Sequence, residues 1–118
     1  MTALYSKVSQ MQGVSVVDLC IEDLNKDKLC YAFCKEIDVL GSRQVVIDLT
    51  LLDVIVRADL EKLTALYTGL KMMGRRVIFC GLNPYTAAVL LTFDADVSFD
   101  TELDVSHAIK ALSHTSQH

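Results

Sequence analysis

Few side chains in this sequence are of a type and at a spacing suited to catalysis or to metal binding. Asp48 and Asp53 lie close together in the chain and could act as paired carboxylates in proton transfer. No convergent set of His, Lys or metal ligands accompanies them. Asp48 is better placed to cap the loop that follows its strand. The sequence therefore predicts no catalytic residues, and we expect the protein not to be an enzyme.

The four cysteines, Cys20, Cys30, Cys34 and Cys80, show no CxxC spacing and no paired histidines. Cys30 and Cys34 are four residues apart on a predicted helix, where they could touch or share a metal ion. They also belong to one apolar stripe with Phe33, and buried free cysteines pack as small hydrophobic side chains. We therefore expect reduced thiols, with no metal and no cofactor.

A helix that starts at Asn83 and Pro84 could hold a phosphate group, because backbone N–H groups converge at a helix N-terminus. No glycine-rich cradle and no P-loop motif accompanies this helix start. A small nucleotide-binding α/β protein is therefore retained only as an alternative function, which a nucleotide titration would test.

Length and composition fit one compact domain of 118 residues. The chain is 52% hydrophobic and 22% charged, which indicates a full core and argues against disorder. Its net charge of −4, with both signs interspersed, favours neither nucleic acid nor an anionic membrane as partner. No apolar run approaches the roughly 20 residues of a membrane span, and no signal peptide is evident. We expect a cytoplasmic protein without membrane insertion.

The hydrophobic period alternates between strand-like and helix-like spacing. It predicts strands at 6–10, 14–21, 44–49, 76–80 and 97–99, and helices at 26–40, 58–73, 84–92 and 105–112, with Asn25, Asn83 and Asp104 as N-caps. This order, β-β-α-β-α-β-α-β-α, indicates an α/β fold with a mainly parallel sheet of four or five strands and about four helices. Residues 1–112 are predicted to form the domain and 113–118 a flexible tail. The loops after residues 48 and 80 should lie close together.

Four segments occur in a characteristic order. They are RQVVIDLTLLDVIVRADL at 43–60, KMMGRRV at 71–77, GLNP at 81–84 before an alanine-containing helix, and TELDV at 101–105. In this order they resemble the STAS domain of the anti-sigma-factor antagonist family, and within it the single-domain stressosome scaffold proteins of the RsbS type. The resemblance covers about residues 43–112 and implies the STAS fold and a non-enzymatic signalling role.

One position departs from the family. Its members carry Asp-Ser or Asp-Thr at the start of the helix after the central strand, and that hydroxyl is their phosphorylation site. Val56 and Arg57 occupy the corresponding pair here. The resemblance therefore implies that the usual phosphorylation site is lost at Arg57. Thr50 is a candidate substitute acceptor, although a buried Thr that caps the strand is an alternative. Arg57 itself could be either a partner-binding residue or a solvated side chain.

The resemblance also implies partners. We expect a bacterial stress-response protein that joins RsbR-like STAS paralogues in a stressosome-like complex and binds a switch kinase or an anti-sigma factor, with a homo-oligomer as a further possibility. An accessory subunit of a lipid-exporting ABC transporter is an alternative within the family. The expected partner-binding surface surrounds the helix start and comprises Val56, Arg57, Ala58, Asp59, Lys62, Asn83 and Tyr85.

Overall fold

The structure is a computed structural model that describes residues 6–25, 29–52, 56–93 and 99–115. The strands are β1 (Lys7–Met11), β2 (Val14–Asp18), β3 (Gln44–Asp48), β4 (Arg76–Cys80) and β5 (Thr101–Glu102). The helices are α1 (Ile21–Leu24), α2 (Leu29–Leu40), α3 (Arg57–Met72), α4 (Pro84–Phe93) and α5 (Val105–Thr115). None of these helices is long and apolar enough to cross a membrane.

The strands form one mixed sheet in the order β1-β2-β3-β4-β5. The hairpin strands β1 and β2 are antiparallel, whereas β2, β3, β4 and β5 are parallel to one another. Val46 of β3 is in register with Val16 of β2 and with Ile78 of β4. Parallel neighbours require crossover connections, which the helices provide. The α/β class and the mainly parallel sheet predicted from the sequence are confirmed.

Two apolar clusters explain why the central strands are apolar on both faces. On one face, Phe33 of α2 and Leu63 of α3 pack in a cluster with Ile47 and Phe79 of the sheet. On the other face, α5 packs against side chains such as Val46. A strand that is covered on both faces is a continuous apolar run rather than an alternating one, which accounts for the sequences of β3 and β4.

Three aromatic rings close the core beside β5. The ring centroids of Tyr67, Phe79 and Phe99 lie 5.0–5.7 Å apart. The Tyr67 hydroxyl oxygen accepts a hydrogen bond from the backbone N–H of Asp100 at 3.2 Å, so α3 holds the chain that leads into β5. Burial of the Tyr67 side chain is the main reason that its pKa is raised above its usual value.

The end of β2 differs from the sequence-based prediction. The strand was expected to continue to residue 21, but it ends at Asp18, and the short helix α1 begins at Ile21. Asp23 of α1 is fully buried and accepts hydrogen bonds from the Ser6 hydroxyl and from the Ser6 backbone N–H, the latter at 2.6 Å. This tertiary contact stabilises a helical turn in a segment whose local pattern of apolar residues favoured a strand.

Three boundaries also differ. Asn25, predicted as the N-cap of the next helix, lies instead at the C-cap of α1, and residues 26–28 lie outside the described residues. Residues 97 and 98 of the strand predicted at 97–99 lie outside the described part, Phe99 is not in a strand, and the described strand β5 lies at Thr101–Glu102. Helix α5 extends to Thr115, beyond the predicted end at 112, so the start of the predicted tail is helical.

The packing of the central strand predicts a stability difference between two matched truncations. Ile47 is 0% exposed in β3, so Ile47→Ala should lower the free energy of unfolding by about 3 kcal/mol through lost burial and a cavity. Val39 is 75% exposed on α2, so Val39→Ala should change it by less than about 0.5 kcal/mol. Urea unfolding followed by circular dichroism measures both. Equal effects would contradict the assignment of Ile47 to the core.

Candidate functional site

Backbone hydrogen bonds join the loops that leave the carboxyl ends of four neighbouring strands. The donors and acceptors are Leu19 N to Asp48 O (3.0 Å), Leu49 N to Cys80 O (2.9 Å) and Gly81 N to Leu103 O (3.2 Å). The predicted proximity of the loops after β3 and β4 is therefore confirmed. We call residues 19–20, 48–52, 56–59, 81–85 and 103–104 the carboxyl edge.

Asp48 organises the loop after β3. Its Oδ1 accepts hydrogen bonds from the backbone N–H of Thr50 at 3.0 Å and from the Thr50 hydroxyl at 2.5 Å. Gly81 passes directly against this pair with a φ of +72°, and a Cβ atom there would collide with Thr50 Oγ1 and Asp48 Oδ1. Asp48 thus caps the loop, as expected, whereas Asp53 lies outside the described residues.

Thr50, the candidate substitute phospho-acceptor, is exposed. The alternative prediction of a buried Thr at the end of the strand is therefore wrong about the burial of this residue. Its hydroxyl donates to Asp48 and faces the Gly81 backbone. A kinase that modified Thr50 would have to break this hydrogen bond and separate the two loops. Phosphorylation of Thr50 stays a prediction.

Helix α3 begins with half of a capping box. The backbone N–H of Val56, the N-cap residue, donates to Asp59 Oδ2 at 3.1 Å, and the N–H of Asp59 donates to the Val56 carbonyl oxygen at 3.0 Å. A Ser or Thr at the N-cap would add a side-chain acceptor, which valine lacks. Asp59 is 7% exposed, and its position near the positive end of the helix dipole is favourable. Asp59 therefore holds the start of the helix.

Arg57 is the first residue of α3, and its side chain is 82% exposed. Its Nε lies 3.7 Å from Glu61 Oε1, one helical turn further on. An exposed pair at this spacing stabilises a helix by only about 0.3–0.5 kcal/mol. The guanidinium group thus stands near the surface at the start of α3.

Two other residues of the predicted surface form hydrogen bonds with backbone groups. The Lys62 ammonium group donates to the Leu24 carbonyl oxygen at 2.7 Å and joins α3 to the end of α1. Asn83 Oδ1 accepts a hydrogen bond from the Thr86 N–H at 2.8 Å, which confirms the predicted N-cap of α4. The predicted surface also includes Val56, Arg57, Ala58 and Tyr85, whose side chains are exposed.

Two apolar residues of the carboxyl edge escaped the sequence-based prediction. Leu51 and Leu103 are 60% and 72% exposed, and they stand on the same edge as Val56 and Tyr85. Neighbouring exposed apolar side chains are typical of protein–protein contact surfaces. A signal was present in the sequence, since both leucines lie in short loops directly after predicted or observed strands, where polar turn residues are the usual occupants.

The thiol of Cys80 is not a nucleophile. Burial at the end of β4 is the main cause that raises its pKa to about 12, and the carboxylates of Asp48, Asp104 and Asp18 add to the effect. The thiolate is the reactive form, so this cysteine is inert at neutral pH. Among the described residues, no group of three or more His, Cys, Asp or Glu side chains could hold a metal ion.

Asp104 caps α5, as predicted. Its Oδ1 accepts a hydrogen bond from the His107 backbone N–H at 2.9 Å and lies 2.7 Å from His107 Nδ1. The bond from the backbone N–H, followed by the contact with the imidazole ring, lowers the pKa of Asp104 below its ordinary value of 3.8.

Solved structures share this fold over almost the whole chain. A chain of the stressosome, which is described as a signal integration and transduction hub, has a TM-score of 0.78 at 16% identity, covering 95% of this chain and 100% of that chain. A serine-to-glutamate variant of RsbS from Moorella thermoacetica has a TM-score of 0.74 at 17% identity, with 97% and 99% covered. A Thermotoga maritima protein proposed to be an anti-sigma factor antagonist has a TM-score of 0.65 at 14% identity, with 92% and 94% covered.

These likenesses establish the fold. No family model and no curated protein matches the sequence. Since the structural neighbours share only 14–17% of their residues with this chain, they were recognisable by architecture rather than by overall identity. The protein has the STAS fold, as the order of the four sequence segments between residues 43 and 112 predicted.

The close approach at Gly81 predicts a large effect for a small substitution. Gly81→Ala should lower the free energy of unfolding by about 3 kcal/mol, because alanine is strained at positive φ and its methyl group would collide with the loop after β3. Gly13 also has a positive φ, of +80°, but a Cβ there meets nothing within 4 Å. Gly13→Ala should therefore cost only about 1 kcal/mol in the same urea unfolding experiment. Equal costs would contradict the close contact.

The cap of α5 predicts a pH dependence with a definite sign. Because the folded-state pKa of Asp104 is lowered, its contribution to stability should be present above about pH 3.8 and disappear as the pH falls through the folded-state value. NMR titration of the side-chain carboxyl carbon should give a pKa below 3.8. His107→Ala should raise it only partway, since the backbone N–H remains as donor. An unchanged pKa in that variant would show that the imidazole contact contributes nothing.

Proposed function

We propose that this protein is a non-enzymatic interaction module that acts as a scaffold or antagonist in a stressosome-like complex and binds its partner through the carboxyl edge. The observation that carries the proposal is a set of exposed side chains on joined loops of a STAS fold. The apolar members of this set are Leu51, Val56, Tyr85 and Leu103, and the set also includes the charged side chain of Arg57.

The rigidity of the edge supports this function. Asp48, Asp59 and Asn83 each fix the backbone of one loop or helix start, and three backbone hydrogen bonds join neighbouring loops. A surface that is already ordered loses little conformational entropy when a partner binds. The residues of the predicted site thus divide into those that hold the backbone and those that face outward for contact.

Arg57 supports constitutive binding. Phosphorylation of a hydroxyl at this position would add a charge of about −1.5 to −2, whereas Arg57 places a positive charge there. A family member that is released by phosphorylation would alternate between two charge states at this point. This chain would keep a single state, so its binding is controlled through its partners or, if Thr50 is modified, through the loop after β3.

The structural neighbours support a proposal that this protein assembles with other STAS-domain proteins. One is a chain of the stressosome, and another is proposed to be an anti-sigma factor antagonist. We propose RsbR-like STAS paralogues as assembly partners, a switch kinase or an anti-sigma factor as the regulated protein, and a cytoplasmic location. Self-association of this chain is a further part of the proposal.

Charge reversal on the carboxyl edge should release the partner. Arg57→Glu imitates the charge of the phosphorylated family members, and Tyr85→Glu places a charge at a side chain that is 82% exposed. Each should reduce at least tenfold the amount of partner that co-purifies with the tagged protein from its source cells. Arg43→Glu and Met72→Glu are matched controls, because both residues are exposed at the opposite end of the sheet, and they should leave co-purification unchanged.

Quantitative mass spectrometry of the purified complexes gives the readout, and circular dichroism confirms that the variants fold. Loss of the partner with all four variants, or with none, would contradict binding at the carboxyl edge. Co-purification of membrane transporter subunits in place of STAS paralogues would instead support the transporter accessory role.

A further inference from the structure

Two thiols converge at the contact between α2 and α3. Cys30 and Cys34 are one turn apart on α2 and both are half-buried, so small reagents can reach them. A methyl group placed on Gly69 of α3 would lie 3.0 Å from Cys30 Sγ and 3.4 Å from Cys34 Sγ. Both sulfur atoms therefore pack against the backbone of Gly69, which approaches them this closely because it has no side chain.

The two sulfur atoms are neighbours. Both lie within 3.4 Å of the point that a Cβ atom of residue 69 would occupy, and Cys30 Sγ donates a hydrogen bond to the Ala65 carbonyl oxygen at 3.5 Å. The thiols thus present two soft donor atoms on the same side of one helix. The proposed partner surface lies elsewhere, at the carboxyl edge, so this pair has no part in it.

A disulfide bond does not fit this geometry. Cβ atoms four residues apart on a helix are separated by about 5–6 Å. A disulfide requires about 3.5–4.5 Å between its Cβ atoms. Oxidation of this pair would therefore require the turn of α2 to distort, and the helix favours two separate sulfur atoms.

A bridging metal ion tolerates a wider separation of the sulfur atoms. Metal–thiolate bonds of about 2.3 Å allow two sulfur atoms to stand up to about 4.6 Å apart on either side of one ion. Zn²⁺ requires about four ligands, and no group of three or more candidate ligands occurs among residues 6–25, 29–52, 56–93 and 99–115. Thiolates select soft ions, and Cu(I) is stable with only two of them.

We propose that Cys30 and Cys34 form a two-thiolate binding site for a soft monovalent cation of the Cu(I) type, located at the α2–α3 contact. Two S–H bonds break and two Cu–S bonds form, the copper stays in its +1 state, and two protons pass to solvent. This site goes beyond the metal-free protein expected from the sequence.

Anaerobic competition with a chromophoric Cu(I) chelator tests the proposal. The reduced protein should take one Cu(I) per chain from the chelator, and Cys30→Ser and Cys34→Ser should each weaken binding at least a hundredfold. Cys20→Ser is the matched control, because Cys20 is half-buried like the pair but lies in a different part of the fold, and it should bind as the native chain does. Zn²⁺ in excess should not displace the copper.

A second readout is independent of the variants. Bound Cu(I) should protect Cys30 and Cys34 of the native chain from alkylation, as seen by peptide mass spectrometry. No uptake of Cu(I), uptake that survives both substitutions, or protection of other cysteines alone would overturn the site. Because these results do not depend on partner capture, they stand or fall separately from the proposed function.

Discussion

The close approach of the Gly81 backbone to Asp48 and Thr50 is the contact on which the carboxyl edge depends. It exists because residue 81 has a positive φ and no Cβ, so the loop after β4 can lie directly against the loop after β3. The hydrogen bond from Gly81 N–H to Leu103 then extends the arrangement to the chain beside β5. A side chain at this one position would force neighbouring loops apart and scatter the residues that they present.

The start of α3 shows how a helix can be capped although its N-cap side chain is apolar. Asp59 accepts the N–H of Val56, so the helix retains a cap although the N-cap side chain is apolar. The positive charge of Arg57 is unfavourable at a helix N-terminus, and the negative side chains of Asp59 and Glu61 offset it. The helix therefore tolerates Arg57 at little energetic cost.

Much of the fold could be predicted because strong local signals agree with tertiary packing. The apolar runs of β3 and β4, Gly74 at the end of α3 and the caps Asn83 and Asp104 all lie where the sequence indicated. Helix α1 could not be predicted, since the buried contact between Asp23 and Ser6 joins residues that are distant in sequence. The short strand β5 likewise depends on pairing with β4 rather than on a strand-like run of its own.

The candidate site was only partly accessible from the sequence. Its place, at the loops after the central strands, follows from topology alone. Topology does not determine which side chains of the site face outward, because hydrogen bonds to distant backbone groups decide the direction of each side chain. Lys62 is engaged with the Leu24 carbonyl, whereas Leu51 and Leu103 are exposed although an apolar side chain is usually expected inside. The exposure of side chains in loops can therefore be determined only from the assembled structure.

The most direct test of binding at the carboxyl edge is hydrogen–deuterium exchange of the native complex, compared with exchange of the free chain. We expect slower exchange in the complex for peptides that cover residues 49–59, 81–87 and 103–104, and unchanged exchange for peptides at the opposite end of the sheet, around residues 39–43 and 72–76. Protection confined to that opposite end, or no protection at all, would contradict the carboxyl edge as the surface through which this protein acts.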